Sequence, residues 1–461
     1  MGILVCFTIF APEIKTYKMI FKRKLYQTLL NWKTEREGKT AILIEGPRRV
    51  GKSTLAESFA QNEYETYIKI DFSIAPKEVI QLFVDISNLD FVFMRLQFIY
   101  HVELKPRKSV IIFDEVQKQP LARQAIKHLV KDRRYDYIET GSLISIKKNV
   151  KDIVIPSEET RVTLHPMDYE EFKWAMGDTA TIPLMRQAFE YKMSLTDAVN
   201  RRLMRDFRLY ILVGGMPQAV EEYLESNNLS KVDAVKRDIL ELYHADFKKI
   251  DSTGRASMMF DAIPAQLNSN ASRYQVSSVD GNARAAQVLE LIAEMVDSGT
   301  VNIAYHANDP SVGFALHKSP EMFKLYLCDT GLFITLAFWD KNFTDNTLYQ
   351  KLLNDKMSTD LGYVYENIVA QMLVAAGNEL YYHTFQSETS HHKHEIDFLL
   401  SRDNKICPVE VKSSTYKRHA SFDEFCRKFS SRILHKYLIY TKDLRKEQDI
   451  LYLPTYMTPF L

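Results

Sequence analysis

Gly46-Pro47-Arg48-Arg49-Val50-Gly51-Lys52-Ser53-Thr54 sets two glycines, a lysine and a hydroxyl at the spacing G-x-x-x-x-G-K-[ST]. Glycines let a backbone wrap closely around a phosphate chain with its N–H groups pointing inward. A helix starting near Lys52 adds the positive end of its dipole. Lys52 is placed to reach β- and γ-phosphates, and the Ser53 hydroxyl to ligate Mg²⁺. The chemistry this spacing predicts is binding of a nucleoside triphosphate.

A second pair of groups completes that chemistry. The apolar run Ser109–Phe113 ends in Asp114-Glu115, as a buried parallel strand does when it delivers carboxylates to the edge of its sheet. Asp114 is expected to hold Mg²⁺ through water, and Glu115 to polarise the attacking water. Strand Tyr135–Thr140 runs into Gly141-Ser142. Thr140 and Ser142 are both candidates to sense the γ-phosphate, the alternative being a simple turn.

A third set lies near the C-terminus. Glu366 sits in an amphipathic helix, Gly362–Ala376, followed by strands Glu395–Leu400 and Ile406–Lys412 around the polar turn Ser401–Asn404. Residues two apart on a strand share a face, so Glu395 pairs with Asp397 and Glu410 with Lys412. A hairpin can bring Asp397 beside Glu410, giving two carboxylates for a divalent ion with a lysine next to it. This D…E-x-K arrangement is that of metal-dependent nucleases, where metal and lysine activate water against a phosphodiester. An exposed strand pair with ordinary charges is the alternative. His391, His392 and His394 read as a solvated loop, because no second ligand set stands at fixed spacing from them.

The elements that must position these groups follow from periodicity. Apolar strands alternate with helical patterns from Thr40 to Asp168, which predicts a parallel sheet covered by helices on both faces. From Tyr169 to Asp246 the pattern is helical, broken at Gly214-Gly215-Met216-Pro217. Arg201, Arg205 and Arg208 share one helical face beside Arg202, and read as a solvated or salt-bridged surface. Between residues 255 and 327, helical runs precede two strands, which suggests a winged-helix module that binds DNA or packs against other domains.

The chain has 461 residues, 46% hydrophobic and 26% charged, with a net charge of +1. That length predicts about two to four domains. Near-neutrality excludes a global field drawing the protein onto nucleic acid, so any DNA contact must come from a local patch. Cys6, Cys328, Cys407 and Cys426 form no C-x-x-C pair, which argues against a disulfide framework or zinc site and fits a cytoplasmic location. The apolar start, MGILVCFTIF, is too short to span a bilayer and lacks a basic flank, and residues 1–18 read as a dispensable extension.

GPRRVGKST, FDEVQ, TGS, GGMP, KLYLCDTGL, GYVYENIVA, EIDFLL and PVEVKSS occur in that order between about Lys24 and Lys412. In them the chain resembles a prokaryotic family that joins an AAA+-type ATPase to a C-terminal domain of unknown function ending in a PD-(D/E)xK nuclease-like fold. The resemblance implies an α/β architecture with an extension over 1–18, an ATPase core over 19–168 and a helical lid and connector over 169–250. It continues with a winged-helix-like module over 251–345 and a nuclease-like domain over 346–461. It implies ATP and Mg²⁺ as cofactors, the nucleotide roles above for Lys52, Ser53, Asp114 and Glu115, and the nuclease-like roles for Glu366, Asp397, Glu410 and Lys412. Relatives commonly carry Gly-Arg where this chain has Glu159-Thr160-Arg161, so Arg161 keeps the arginine of a trans-acting finger or sensor without its glycine. ATP is the expected ligand; DNA, a protein client and a second copy of the chain are the candidate partners, and no membrane is.

Overall fold

A computed structural model describes residues 19–141, 158–269, 271–278, 285–340, 353, 362–387, 393–413 and 419–461. The extension 1–18, Ser142, His391 and His392 lie outside them.

The first sheet is built from β1 (Ala41–Glu45), β2 (Thr66–Asp71), β3 (Ser109–Asp114), β4 (Asp136–Thr140) and β5 (Glu159–Thr163), in the order β2-β3-β4-β1-β5. All four pairings are parallel. Every residue of β1, β3 and β4 is buried, which is why β1 and β3 are apolar on both faces up to their terminal carboxylates, while β4 carries the buried polar groups Asp136, Glu139 and Thr140. Ile42, Ile44, Val110, Ile112 and Ile138 pack under the helices Leu25–Arg36 and Lys52–Glu63. Leu43, Ile111, Phe113 and Tyr137 pack under Leu89–Tyr100 and Pro120–Asp132. With β4 between β1 and β3, the phosphate loop and the Asp114-Glu115 pair open at one edge with Thr140 between them.

Five helices occupy the expected lid region: Tyr169–Ala175, Thr181–Tyr191, Asp197–Val213, Pro217–Ser226 and Leu229–Ile250. The first is fixed by a capping box in which Asp168 and Glu171 satisfy each other's backbone N–H groups.

The second sheet has eight strands: β6 (Val301–Ala307), β7 (Lys318–Leu327), β8 (Leu380–Gln386), β9 (Lys393–Arg402), β10 (Lys405–Val411), β11 (Lys436–Tyr440), β12 (Arg445–Glu447) and β13 (Ile450–Pro454). Their order is β12-β13-β11-β10-β9-β8-β6-β7. β6 and β7 are the two strands expected of a winged-helix-like module over 251–345. β6 and β7 do pair antiparallel, but the free edge of β6 joins β8 in parallel at Ala304–Leu380, Tyr305–Tyr381 and His306–Tyr382. The edge of β6 is taken by the C-terminal sheet, so a boundary at 345/346 separates strands that pair with one another. One apolar core runs from Met167 through the middle helices to Met457 and unites them with one face of this sheet.

Candidate nucleotide site and acidic cluster

The phosphate loop leaves β1 at Gly46, whose φ of +143° and position would put a Cβ 2.3 Å from the Leu164 carbonyl oxygen. Only glycine fits there. Arg49 and Gly51 also take positive φ, turning the chain so that the helix Lys52–Glu63 starts at the loop's end. Lys52 Nζ donates to the carbonyls of Gly46 and Pro47, both at 2.9 Å. Burial pulls its ammonium down to about 8, against the opposing pull of Glu115 and Asp114.

The Ser53 hydroxyl donates to Asp114 Oδ1 at 2.6 Å, and the Thr140 hydroxyl donates to the same oxygen. Lys69 of β2 stands 3.7 Å from Asp114 Oδ2. Glu115 follows with a φ of +55° and accepts a bond from the Gln117 amide. Ser53 and Asp114 are adjacent hard oxygen donors on an open cavity, a set that suits Mg²⁺. That cavity, of about 1430 Å³, is lined by Arg48, Arg49, Gly51–Leu55, Asp114 and Glu115 and runs on to Met19–Lys24, Trp174 and Pro217.

Braces not anticipated from the sequence hold the loop. Arg23 Nη1 donates to the Val50 carbonyl at 2.8 Å and Nη2 to the His165 carbonyl at 2.6 Å, while Nε pairs with Glu171 at 3.1 Å. Arg48 pairs with Asp246 at 3.1 Å, and the Tyr243 hydroxyl donates to the Arg48 carbonyl at 3.2 Å. These partners lie about 25 to 200 residues away in sequence, beyond the reach of a local motif.

Arg161 is not among the residues lining the cavity. It stands opposite Leu43, two residues short of the edge where the loop begins, and its Nε pairs with Glu159 at 2.8 Å. Glu159 is itself held by Arg123 at 3.1 Å in a buried pair.

The hairpin of β9 and β10 pairs Val409 with Phe398, which sets Glu410 next to Asp397 as expected. Asp397 Oδ2 accepts the Val411 N–H at 2.7 Å, and Lys412 Nζ pairs with Glu410 Oε1 at 2.7 Å. Glu366 and Glu395 join them through Lys324 of β7, whose Nζ lies 3.0 Å from Glu366 Oε1 and 2.5 Å from Glu395 Oε1. The Tyr326 hydroxyl donates to Glu366 Oε1 at 2.6 Å. Burial raises Glu395 to about 7, Lys324 opposing it, and burial with neighbouring carboxylates holds Asp397 and Glu410 above the ordinary range. The roles of Lys324, Tyr326 and Glu395 were missed from the sequence; the i, i+2 spacing of Lys324 and Tyr326 was the available signal.

Among the described residues no three histidine, cysteine or acidic side chains are arranged to hold a metal ion. Asp397 Oδ2 is engaged by a backbone N–H and Glu410 Oε1 by an ammonium, while Glu410 Oε2 has no hydrogen-bond partner. Asp397 and Glu410, expected as metal ligands, stand side by side with one oxygen of each engaged. His394 pairs with Glu424 at 3.2 Å instead of joining the cluster.

Residues 38–173 match the model of an AAA domain, and with the loop and sheet just described they form an AAA-type P-loop ATPase domain, a class that binds ATP. Residues 204–342 and 361–456 match two domains of unknown function, DUF8612 and DUF4143. No curated protein matches the chain. Among solved structures it is similar to the Walker-type ATPase PABY2304 of Pyrococcus abyssi, 16% identical, over 69% of this chain and 96% of that one, with a TM-score of 0.40. The RuvB Holliday junction branch migration motor of Thermotoga maritima matches at 14% identity over 61% of this chain and 89% of its own, TM-score 0.27. Cdc6p of Pyrobaculum aerophilum matches at 11% over 66% and 92%, TM-score 0.25. Likeness at this level bears on neither activity nor partners. Among the described residues no helix is long and apolar enough to cross a membrane.

Proposed function

We propose that the chain is a Mg²⁺-dependent, AAA+-type ATPase whose nucleotide state is coupled to a C-terminal, PD-(D/E)xK-like domain that binds or cleaves DNA. The observation carrying the ATPase half is the convergence of Lys52, Ser53, Asp114 and Glu115 on one cavity, with the buried Thr140 hydroxyl bonded to Asp114 behind them. Lys52 exchanges its two loop carbonyls for the phosphates, and its charge offsets the negative charge of the transferring group. Ser53 and Asp114 would hold Mg²⁺, which supplies charge neutralisation between the phosphates. Glu115 takes the proton of the attacking water. Arg161, paired with Glu159 in its own chain, is offered as the arginine that a neighbouring copy receives.

Coupling is supported by contacts that run from the loop into the C-terminal sheet. Gly299, at the entry to β6, packs against Pro47, where a Cβ would come within 3.0 Å of the proline ring. Arg48 and Tyr243 tie the loop to the helix Leu229–Ile250. ATP hydrolysis measured with and without duplex and single-stranded DNA, with the DNA followed on a gel, tests the proposal. DNA-stimulated turnover with metal-dependent cleavage lost in Asp397→Ala supports an ATP-gated nuclease. Absence of hydrolysis sinks the ATPase reading.

A second reading is a nucleotide-switched regulator that binds a protein or DNA without cutting it. The position of Lys324 between Glu366 and Glu395 favours it. Turnover indifferent to DNA, with the DNA intact, is its expected outcome.

A further inference from the structure

Four carboxylates, Glu366, Glu395, Asp397 and Glu410, meet two ammoniums, Lys324 and Lys412, under the helix Gly362–Ala375. Nuclease-like clusters of this composition use a divalent ion to offset such an excess of negative charge. Here a side chain does so. Lys324 reaches the cluster from β7, at the far edge of the sheet, because its cross-strand partner on β6 is Ala304, which leaves room for the lysine stem. Its side chain is only 6% exposed, and the Tyr382 ring lies 5.6 Å from its Nζ. Two carboxylate oxygens from different elements, Glu366 Oε1 and Glu395 Oε1, already converge on the one point its nitrogen occupies.

A second observation shows that one oxygen of the cluster is reached by neither ammonium. Glu410 is 3% exposed, and its Oε2 is buried with no hydrogen-bond partner. A buried carboxylate oxygen in that condition carries a desolvation cost that a nearby cation would relieve.

We propose that Lys324 is the resident cation of this cluster: its ammonium takes the place of a divalent ion between Glu366 and Glu395, so the cluster is complete without metal, and removing this one side chain opens a divalent-cation site centred on those two residues. The inference rests on the nuclease-like reading of this half of the chain and is independent of nucleotide hydrolysis. Burial alone would lower the lysine, yet Glu366, Glu395 and Asp397 hold it above its ordinary range, so it stays charged in place. A fixed charge on a strand cannot be lost to a chelator, in contrast to a bound ion.

The test is Mn²⁺ titration of nucleotide-free, full-length protein, read by the electron spin resonance of free Mn²⁺. All samples carry Asp114→Asn, which silences the phosphate-loop site. With Lys324 present, no site tighter than about 1 mM is expected, the weak limit of protein sites for hard cations. Lys324→Ala is expected to gain one site at least about tenfold tighter, abolished by adding Glu366→Gln. Two results overturn the proposal: tight Mn²⁺ binding with Lys324 in place that Asp397→Asn removes, or a folded Lys324→Ala protein without a new site. Lys324→Gln serves if the alanine variant does not fold, and the titration with Lys324 in place decides by itself. A gained site that survives Asp397→Asn and Glu410→Gln keeps the lysine assignment while removing the nuclease-like reading of the cluster.

Discussion

The carboxylate of Asp329 accepts the backbone N–H of Gly215 at 2.6 Å. The two residues stand 114 positions apart, and the bond joins the end of β7 to the turn that closes the helix Asp197–Val213. Gly215 in turn gives its carbonyl to the Met167 N–H at 2.7 Å, at the C-terminal margin of the ATPase sheet. Pro217 and Gln218, just beyond, line the nucleotide cavity. The strand that carries Lys324 is thereby connected to the nucleotide site through one buried carboxylate.

Asp329→Ala should be strongly destabilising. Asp329 is fully buried and also accepts the Leu332 N–H at 2.9 Å, so its removal leaves two buried donors without a partner. A loss of about 2–4 kcal/mol is expected, read as a fall in the denaturant midpoint; an unchanged midpoint would show that the turn holds without it.

Glu115→Gln should keep ATP binding and lose turnover by about a hundredfold or more, because the amide is isosteric but cannot accept the water's proton. Nucleotide affinity and single-turnover hydrolysis measured on one preparation check this. Normal hydrolysis would remove Glu115 from the mechanism.

ATP binding should take up a proton at alkaline pH. Lys52 is pulled down to about 8 by burial in the free protein, while a bound triphosphate favours its charged form. Below pH 8 the ammonium is already present and uptake is small. Above it, uptake approaches one proton and affinity falls by about tenfold per pH unit. Calorimetry in buffers of different ionisation enthalpy measures the uptake, and its absence at pH 9 would contradict the buried setting of Lys52.

Stability should fall on acidification through the imidazole of His383. Burial pulls it down to about 4, and it binds the Ala307 carbonyl at 2.7 Å through Nδ1. The folded state therefore binds this proton more weakly than the unfolded chain does. Stability from this residue is fully present above about pH 6.5 and is lost as pH falls towards 4, up to about 3 kcal/mol. His383→Gln should flatten the pH dependence of the thermal midpoint over that window; an unaltered slope would assign the loss to other groups.

The phosphate loop was legible because its chemistry is contiguous. Strand, glycine turn, lysine and helix start fall within the sixteen residues Thr40–Leu55, and each acts on its near neighbours. Asp114 was legible for the same reason, as the polar end of an apolar strand. The hairpin of β9 and β10 followed from alternation and a polar turn. Arg23 and Asp246 left no such trace, and Asp329, though it falls within the motif KLYLCDTGL, showed no partner, since each acts on a backbone or side chain that only folding brings close.

Thus the sequence by itself determined the nucleotide chemistry and the facing of Asp397 and Glu410, because φ/ψ restriction at glycine and the two-residue period of a strand are local properties. Only the tertiary structure decided where β6 and β7 belong and what neutralises the acids. Strand order is set by which edges can bury against one another, and nothing within residues 299–328 shows that β8 will take the edge of β6. Lys324 opens the motif KLYLCDTGL with no partner legible in it, and only that pairing carries it over Ala304 to the carboxylates of Glu366 and Glu395.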